Sequence, residues 1–436
     1  MVSIQLCTAL ANLVDGIDLG LFPSTFKSLE TELHFTPAEL GMLSMVGSLA
    51  SCLSSVVWGC IAESYNRKRV FVVSTAMLGL MTLGTSRVDS FWSMAWMRIA
   101  AGFFVAATLP ITQSLVAEAV PKNGLGVAFG TLAFASHLSG AGAAQLAARL
   151  SWRTAYRVMG TGTLGLSLFI WTFMPDVDAG VSRGASKLSL REWLNVEATK
   201  VRMVFQKRTF LALLAGGIVG CVPWHALSFS MMYFQSFGFS AMDVGNMMAL
   251  QGVGRAMGSY MGGYLGDVLA AKSPLHGRAF MAQITISLGM LVLLFPLYLL
   301  PWSTEYYNSY AASLFLFGFV STWCNPGVDR PLWAELVHPD SRGTIVAWWT
   351  FIAGSFGSIC GAPLVGWLAQ AALGYRPGGG GQNTEALSEA LLLCTMLPWA
   401  LCFVAYSAIH CTYQLDVPQA KQKKDEPEFI CLGRID

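Results

Sequence analysis

The stretch "GCIAESYNRKR", residues 59–69, ends a long apolar run with one carboxylate and then three basic residues. A shorter copy, "GGYLGD", follows at residues 262–267. In both stretches a glycine precedes an acidic residue by four positions at the polar end of an apolar run, which indicates a duplicated helical unit. The matching residues are Gly59 with Gly263 and Glu63 with Asp267.

Two further pairs of segments repeat in the same order. "FTPAELG" at 35–41 matches "FSAMDVG" at 239–245, and "GFFVAATLP" at 102–110 matches "GFVSTWCNP" at 318–326. We therefore expect the second half to repeat the first in parallel orientation. Two six-helix halves of this kind are typical of transporters that bind substrate at the midplane, between the halves.

Composition places these repeats in a membrane. Of 436 residues, 54% are hydrophobic and 12% are charged, whereas an average soluble domain has about 25% charged residues. Apolar runs of about 20 residues, long enough to cross a bilayer, alternate with short polar connections. The predicted spans are 4–24, 37–62, 69–86, 90–117, 124–147, 154–174, 209–235, 241–267, 278–300, 307–333, 344–373 and 386–411.

The predicted fold is an all-α membrane protein with twelve transmembrane helices, in two six-helix bundles related by a pseudo-two-fold axis. The bundles are residues 1–175 and 209–412, joined by a cytoplasmic linker at 176–208 and followed by a disordered tail at 413–436. Basic residues concentrate on one side of the spans, which places both termini in the cytoplasm. Those expected on the opposite side are Lys27, Arg87, Arg149, Arg153, Arg157 and Arg376.

Several classes of function are excluded by composition. The net charge is +2 and no basic patch alternates with aromatic residues, so we expect no nucleic-acid partner. The ten cysteines form no C-x-x-C pair, so we expect neither a disulfide framework nor a metal site. No nucleophile–base pair stands out, so the sequence predicts neither an enzyme nor a bound cofactor. A monomer is expected.

Residues 59–69 resemble the loop between the second and third helices of the major facilitator superfamily. That loop has glycine, three residues, aspartate and a basic cluster; Gly59, Arg67 and Lys68 match it, and Glu63 replaces the aspartate. The resemblance extends over about residues 4–411 and implies a transporter that works by alternating access.

Two branches of the superfamily are similar to different parts of the chain. "NRKR" at 66–69 and "TLGTSRVDSFW" at 82–92 resemble the spinster-like branch, which implies a lysolipid or sphingoid lipid as cargo. "DGID" at 15–18 is similar to the D-G-x-D motif of proton-coupled aromatic-acid carriers. The sequence leaves both substrates open.

Asp15 and Asp18 lie one helical turn apart within the first predicted span. Each charged aspartate costs about 2.5–3.5 kcal/mol at the centre of a bilayer, and such residues usually face a wet cavity and serve ion or proton pathways. We predict that they couple protons or bind substrate. Arg98, in the fourth span, is their expected partner or an anion anchor, and a static ion pair or hydrogen bond is the structural alternative.

Weaker candidates for substrate or proton binding occur in other spans. Asp329 matches Gln113 when the repeats are aligned on Pro110 and Pro326. Two histidines are candidates because imidazole titrates near neutral pH, although structural hydrogen bonds would also explain them, and one arginine in the eighth span is a cavity candidate. These residues are His137, His225 and Arg255.

A cytoplasmic gate is predicted where the acidic and basic residues collect at the ends of spans. A carboxylate there can accept hydrogen bonds from the N-terminus of an opposing helix and hold the halves together. Topogenic charge alone would explain the basic residues, but not the repeated carboxylate. The predicted gate residues are Gly59, Glu63, Arg67, Lys68, Arg69, Glu118, Gly263, Asp267, Glu335 and Arg342.

The functional hypothesis is a secondary active transporter that carries a small organic anion with protons across a lipid bilayer. A spinster-like lipid carrier is the first alternative. A receptor that kept the fold but lost transport is the second. The sequence does not identify the substrate, the direction of transport or the membrane.

Overall fold

The computed structural model describes residues 2–119, 125–175, 190–337, 342–377 and 381–416, and the regular elements in these ranges are all helical. The α-helices are α1 (Val2–Ser24), α2 (Phe26–Leu33), α3 (Pro37–Ser64), α4 (Arg67–Thr85), α5 (Phe91–Val105), α6 (Thr108–Ala119), α7 (Leu125–Arg149), α8 (Trp152–Phe173), α9 (Leu190–Phe205), α10 (Arg208–Ala226), α11 (Ser230–Ser236), α12 (Ala241–Lys272), α13 (Gly277–Leu294), α14 (Tyr307–Ser321), α15 (Arg330–Leu336), α16 (Arg342–Trp349), α17 (Ser355–Cys360), α18 (Ala362–Trp367) and α19 (Gly381–Ser407). Short π-helical segments interrupt the later helices at Phe295–Leu299, Asn325–Asp329, Thr350–Gly354 and Leu368–Ala372. The predicted all-α class is confirmed, whereas most of the predicted linker (176–189) and tail (417–436) lies outside the described residues.

Within the described ranges, seven stretches are long and apolar enough to cross a membrane. They are Ile4–Ser24, Pro37–Gly59, Phe91–Gln113, Arg208–Ser236, Gly277–Leu299, Ile345–Ala372 and Gly381–Asp416. The other predicted spans also coincide with helices, on α4, α7, α8, α12 and α14. Large apolar side chains on these helices point outward, as expected for contact with lipid; Trp92 and Leu168 are examples.

The repeated sequence at 35–41 and 239–245 starts two long helices in the same way. The Thr36 hydroxyl accepts from the Glu39 amide (3.3 Å), and the Glu39 carboxylate accepts from the Thr36 amide (2.8 Å). Ser240 and Asp243 form the same reciprocal pair at the start of α12, at 3.1 and 3.3 Å. Each pair provides hydrogen-bond partners for backbone amides that lack them at the start of a helix. The two repeated sequences therefore begin their helices with the same cap.

Glycines let pairs of helices approach through their backbones. A Cβ on Gly102 of α5 would collide with the Gly47 carbonyl oxygen of α3, and a Cβ on Gly318 of α14 would collide with that of Gln251 on α12. Gly102 and Gly318 are equivalent in the sequence repeat. In a bilayer the hydrophobic effect does not drive helices together, so their association depends on close van der Waals packing, which small residues allow.

Residues 2–175, the first part, meet residues 190–416, the second part, mainly along two seams. In one seam α3 lies against α18, and a Cβ on Gly41 would be 2.6 Å from the Ala362 carbonyl oxygen. In the other, α7 lies against α12, and a Cβ on Gly245 would be 3.2 Å from the Cβ of Ala148. Both seams depend on residues too small to hold the backbones apart.

We predict that Gly258→Ala lowers the stability of the protein by about 1–3 kcal/mol, because the added carbon overpacks the α12–α14 contact. It would collide with the Phe319 carbonyl oxygen and lie 2.6 Å from the Thr322 hydroxyl. Gly165→Ala is the control, since open space surrounds Gly165 and alanine favours a helix by up to about 1 kcal/mol. Thermal unfolding of the purified protein measures both variants, and equal melting temperatures for the two would contradict the prediction.

Candidate functional site

A cavity of about 460 Å³ lies mainly within the second part. Its walls come from α10, α12, α13, α14, the π-helical segment Asn325–Asp329, α15, α16 and α19, and the first part contributes Ser136 and His137 of α7. Aromatic side chains form much of the surface, and a few charged groups converge within it. The aromatic residues are Trp224, Trp349, Trp399 and Tyr406, and the charged residues are Arg255, Asp329 and Arg330.

Arg255 brings an unmatched positive charge to this cavity. Its guanidinium carbon lies 5.2 Å from the centre of the Trp224 ring. Its buried Nε has no hydrogen-bond partner, and no described carboxylate forms an ion pair with it. An arginine keeps its charge in proteins, so the exposed guanidinium of Arg330 adds a second cation to the wall. The cavity is therefore suited to an anion.

Asp329 lies at the end of the π-helical segment Asn325–Asp329 and is 6% exposed. The Tyr406 hydroxyl of α19 donates a hydrogen bond to its Oδ1 at 2.7 Å. A π-helical turn shifts the residues after it relative to a regular helix and is common at functional sites. This carboxylate is thus held by a hydroxyl rather than by a cation.

The two candidate histidines have different surroundings. Nε2 of His137 lies 2.8 Å from the Ser259 hydroxyl, a hydrogen bond that joins α7 to α12 at the cavity wall. In His225, one ring nitrogen faces the Cys221 carbonyl oxygen (3.0 Å) and the other the Ser358 hydroxyl (3.2 Å). His225 does not line the cavity, so its contacts fit a structural role.

Asp15, Asp18 and Arg98 are buried in the first part and do not line this cavity. Oδ1 of Asp18 accepts a hydrogen bond from the Thr82 hydroxyl at 2.6 Å. The Arg98 guanidinium stacks on the Phe22 ring at 4.5 Å and forms no ion pair with Asp18. The static ion pair, which was the structural alternative, is therefore absent from the described part of the chain, where Asp15 Oδ2 and Arg98 Nε are both buried without hydrogen-bond partners. Gln113, on α6, also lies away from the cavity.

Part of the predicted cytoplasmic gate forms a network around Arg278. Its guanidinium lies 3.5 Å from Asp267 and 3.3 Å from Glu335, and it donates to the Gly327 carbonyl at 2.9 Å. The Tyr413 hydroxyl donates to Glu335. These contacts join α12, α13 and α15 within the second part. Gly263 lies beside Pro326 in the same region.

The first-part gate residues are described only in part. Asn66 caps α4 by accepting from the Arg69 amide at 3.1 Å, and Lys68 lies 5.8 Å from the centre of the Trp171 ring. Arg67 is the first residue of α4, and open space surrounds Gly59. The side chains of Glu63, Glu118 and Arg342 lie outside the described residues.

Sequence reasoning missed Tyr406, Ser259 and Thr82, which hold the candidate residues in place. All three are hydroxyl residues on helices, and nothing in the local sequence distinguishes them from other hydroxyl residues. Only their spatial proximity to Asp329, His137 and Asp18 identifies them.

Apolar helices around an aromatic cavity that holds two arginines and one carboxylate are typical of a helical membrane protein of the transporter class. The chain belongs to the Major Facilitator Superfamily, whose model matches residues 8–351. The superfamily resemblance expected from residues 59–69 is thereby confirmed.

Several named relatives of this chain are transporters. The 3-(3-hydroxy-phenyl)propionate transporter of Escherichia coli is 27% identical over 272 residues, which cover 62% of this chain and 66% of that protein. The cis,cis-muconate transport protein of Acinetobacter baylyi is 24% identical over 414 residues, which cover 89% and 91%. A bacterial homologue of the lysosomal transporter Spinster, solved in an inward-facing conformation, has the same fold, with a TM-score of 0.75 at 16% identity over 95% of this chain and 97% of that chain.

We predict that Tyr406→Phe destabilises the protein by about 1–3 kcal/mol, because it leaves the buried Asp329 carboxylate without its hydroxyl donor. Tyr260→Phe is the matched control, since Tyr260 is 83% exposed. Thermal unfolding without ligand measures the difference. A Tyr406→Phe variant as stable as the control would show that the hydrogen bond contributes nothing to the fold.

Proposed function

We propose that this protein is a secondary active transporter that carries a small organic anion together with protons by alternating access. The observation that carries the proposal is the Arg255 guanidinium, which lies against Trp224 in the cavity and forms no ion pair with a described carboxylate. A planar carboxylate could bind the guanidinium through two hydrogen bonds while its apolar part contacts the aromatic wall.

Cavity size and the relatives both favour a compact acid. A volume of about 460 Å³ falls at the small end of the range for drug-sized ligands, about 300–1,000 Å³. The two named relatives carry a phenylpropionate and a muconate, which are both small carboxylates. We propose a cargo of the same class for this chain.

A lysolipid is the second candidate, because residues 66–69 and 82–92 resemble the spinster-like branch; the Spinster homologue has the same fold. At 16% identity this likeness supports a shared fold but not a shared substrate. A lysolipid also needs room for a long acyl chain, and the lining of the described cavity is interrupted by Arg255, Asp329 and Arg330. We therefore rank the lipid below the small acid. A receptor without transport activity ranks third.

The architecture we propose for this function has twelve spans in two bundles, residues 1–175 and 209–412, with both termini in the cytoplasm. Residues 176–208 would then form the cytoplasmic linker. This orientation places α2 and the loop around residue 375 on the outer side, and the Arg278 network on the cytoplasmic side.

Proton coupling is proposed at Asp18, with Asp15 as its neighbour. The Thr82 hydroxyl can donate to a charged carboxylate or accept from a neutral one, so the contact survives both protonation states. Arg98 is buried close to this site and forms no ion pair with a described carboxylate. A charged Asp18 could reach Arg98 when the helices move, whereas a protonated Asp18 gains nothing from doing so.

We predict that Arg255→Met weakens the uptake of small aromatic and unsaturated acids by about ten- to hundredfold, the value of a lost hydrogen bond to a charged group. Proteoliposomes with labelled 3-(3-hydroxyphenyl)propionate, cis,cis-muconate and a lysophospholipid provide the measurement. Arg153→Met is the control, because Arg153 pairs with Asp89 at the surface. If only the lysophospholipid is taken up, the cargo is a lysolipid and the small-acid proposal is wrong. If none of the three compounds is taken up, the proposed transport function is contradicted.

We predict that Asp18→Asn abolishes the acceleration of uptake by an inward proton gradient. Asparagine still accepts the Thr82 hydrogen bond, so the fold should persist while the titratable group is lost. Asp89→Asn, at an exposed carboxylate, is the control and should keep the acceleration. If Asp18→Asn responds to the gradient as the wild type does, Asp18 is not the coupling residue.

A further inference from the structure

A buried carboxylate joins the two parts of the molecule at the end that holds α2. Glu30 is 3% exposed, and its Oε1 accepts a hydrogen bond at 2.6 Å from the hydroxyl of Tyr375, which is also 3% exposed. The other oxygen, Oε2, binds the Lys27 ammonium at 2.6 Å. Glu30 and Lys27 belong to the first part and Tyr375 to the second, so the Tyr375 bond crosses between them.

The helix that carries Glu30 is held against the second part. α2 is an eight-residue helix that starts after Thr25 and ends at Leu33, and the next residue, His34, turns the chain with a φ of +56°. The Phe26 ring packs edge-on against Phe229 of the second part, with ring centres 4.9 Å apart. Glu30 follows Phe26 by four residues and therefore lies on the same face of α2.

The loop that carries Tyr375 is fixed at both ends. The Tyr375 amide donates to the Ala369 carbonyl at 2.8 Å, and Gly374 before it has a φ of +77°, a conformation that glycine adopts without strain. The Asn383 side chain then accepts from the Arg376 amide (2.9 Å) and donates to its carbonyl (2.6 Å). These hydrogen bonds fix the turn that places the Tyr375 hydroxyl beside Glu30.

The hydrogen bond from Tyr375 to Glu30 can form only when the two parts are in contact at the α2 end. Burial raises the pKa of Tyr375, and the adjacent Glu30 raises it further. The hydroxyl therefore keeps its proton and remains a donor. If the two parts separate, the Glu30 carboxylate loses the Tyr375 hydrogen bond and keeps only its ion pair with Lys27.

We propose that Glu30 and Tyr375 form a latch that holds the α2 end of the transporter closed. The inference rests on the proposed alternating access, in which this end is the outer one and must open to exchange cargo. The latch stabilises the closed state selectively, because Lys27 lies on the same helix as Glu30 and, of the two Glu30 contacts, only the one to Tyr375 crosses between the parts. A ligand or mutation that acts on this contact shifts the population of the open state.

The test measures the distance across the latch in purified, ligand-free protein. Spin labels at cysteines introduced at Thr31 and Glu385, both exposed, report it by double electron–electron resonance, with the exposed Cys411 and Cys431 replaced by serine. Tyr375→Phe keeps the ring and removes the hydroxyl. We expect it to raise the ratio of open to closed protein about tenfold, the effect of one hydrogen bond to a charged group.

Two further variants make the result specific. Tyr233→Phe removes a buried tyrosine hydroxyl that donates to the Pro296 carbonyl (3.0 Å) within the second part, and it should leave the distances unchanged. Glu30→Gln keeps an acceptor for Tyr375 but loses the charge, and it should open the protein less than Tyr375→Phe does. A distribution in Tyr375→Phe identical to that of the wild type overturns the latch. Since no cargo is present, a shift in this experiment together with absent acid uptake would reject the proposed function and keep the latch.

Discussion

A charged side chain inside a bilayer has no water to solvate it, and this constraint organises the polar interior of the protein. The described structure meets it in the same way in both parts. Carboxylates are held by hydroxyls, Asp18 by Thr82 and Asp329 by Tyr406. Guanidinium groups stack on rings, Arg98 on Phe22 and Arg255 on Trp224. Asp18 is therefore kept apart from Arg98, and Asp329 from Arg255, because each of the four groups contacts an uncharged side chain.

This separation has a chemical consequence. An arginine bound to a carboxylate of its own chain is already neutralised and offers little to a ligand. A guanidinium on an aromatic face keeps its hydrogen-bond donors free, because the ring contacts its plane rather than its edges. A hydroxyl can serve as donor or acceptor, so a carboxylate beside it can gain or lose a proton without losing its contact. The interior is suited to anion binding and to protonation, whereas a network of fixed ion pairs would favour neither.

Sequence patterns predicted the helical class well because the same short signals act locally. The cap at Thr36 and Glu39 depends on residues three positions apart, and so does the cap at Ser240 and Asp243. The site was harder to predict, because its contacts join residues far apart in the chain: 64 positions for Thr82 and Asp18, 122 for Ser259 and His137. Helical spacing placed Asp15 and Asp18 on one face but could not show that the face lies away from the main cavity.

The candidate proton and anion sites therefore lie in different parts of the molecule, and coupling between them has to cross a seam. The α7–α12 seam reaches both the cavity and the first part. Its helices meet through small residues, and His137 binds Ser259 where the seam forms the cavity wall. Ser259 follows Arg255 by one helical turn, so an anion on Arg255 would lie beside the bond that joins the two parts. α7 also packs against α1, the helix that holds Asp18. In the proposed mechanism, anion binding at Arg255 would therefore move α7 and, through it, α1.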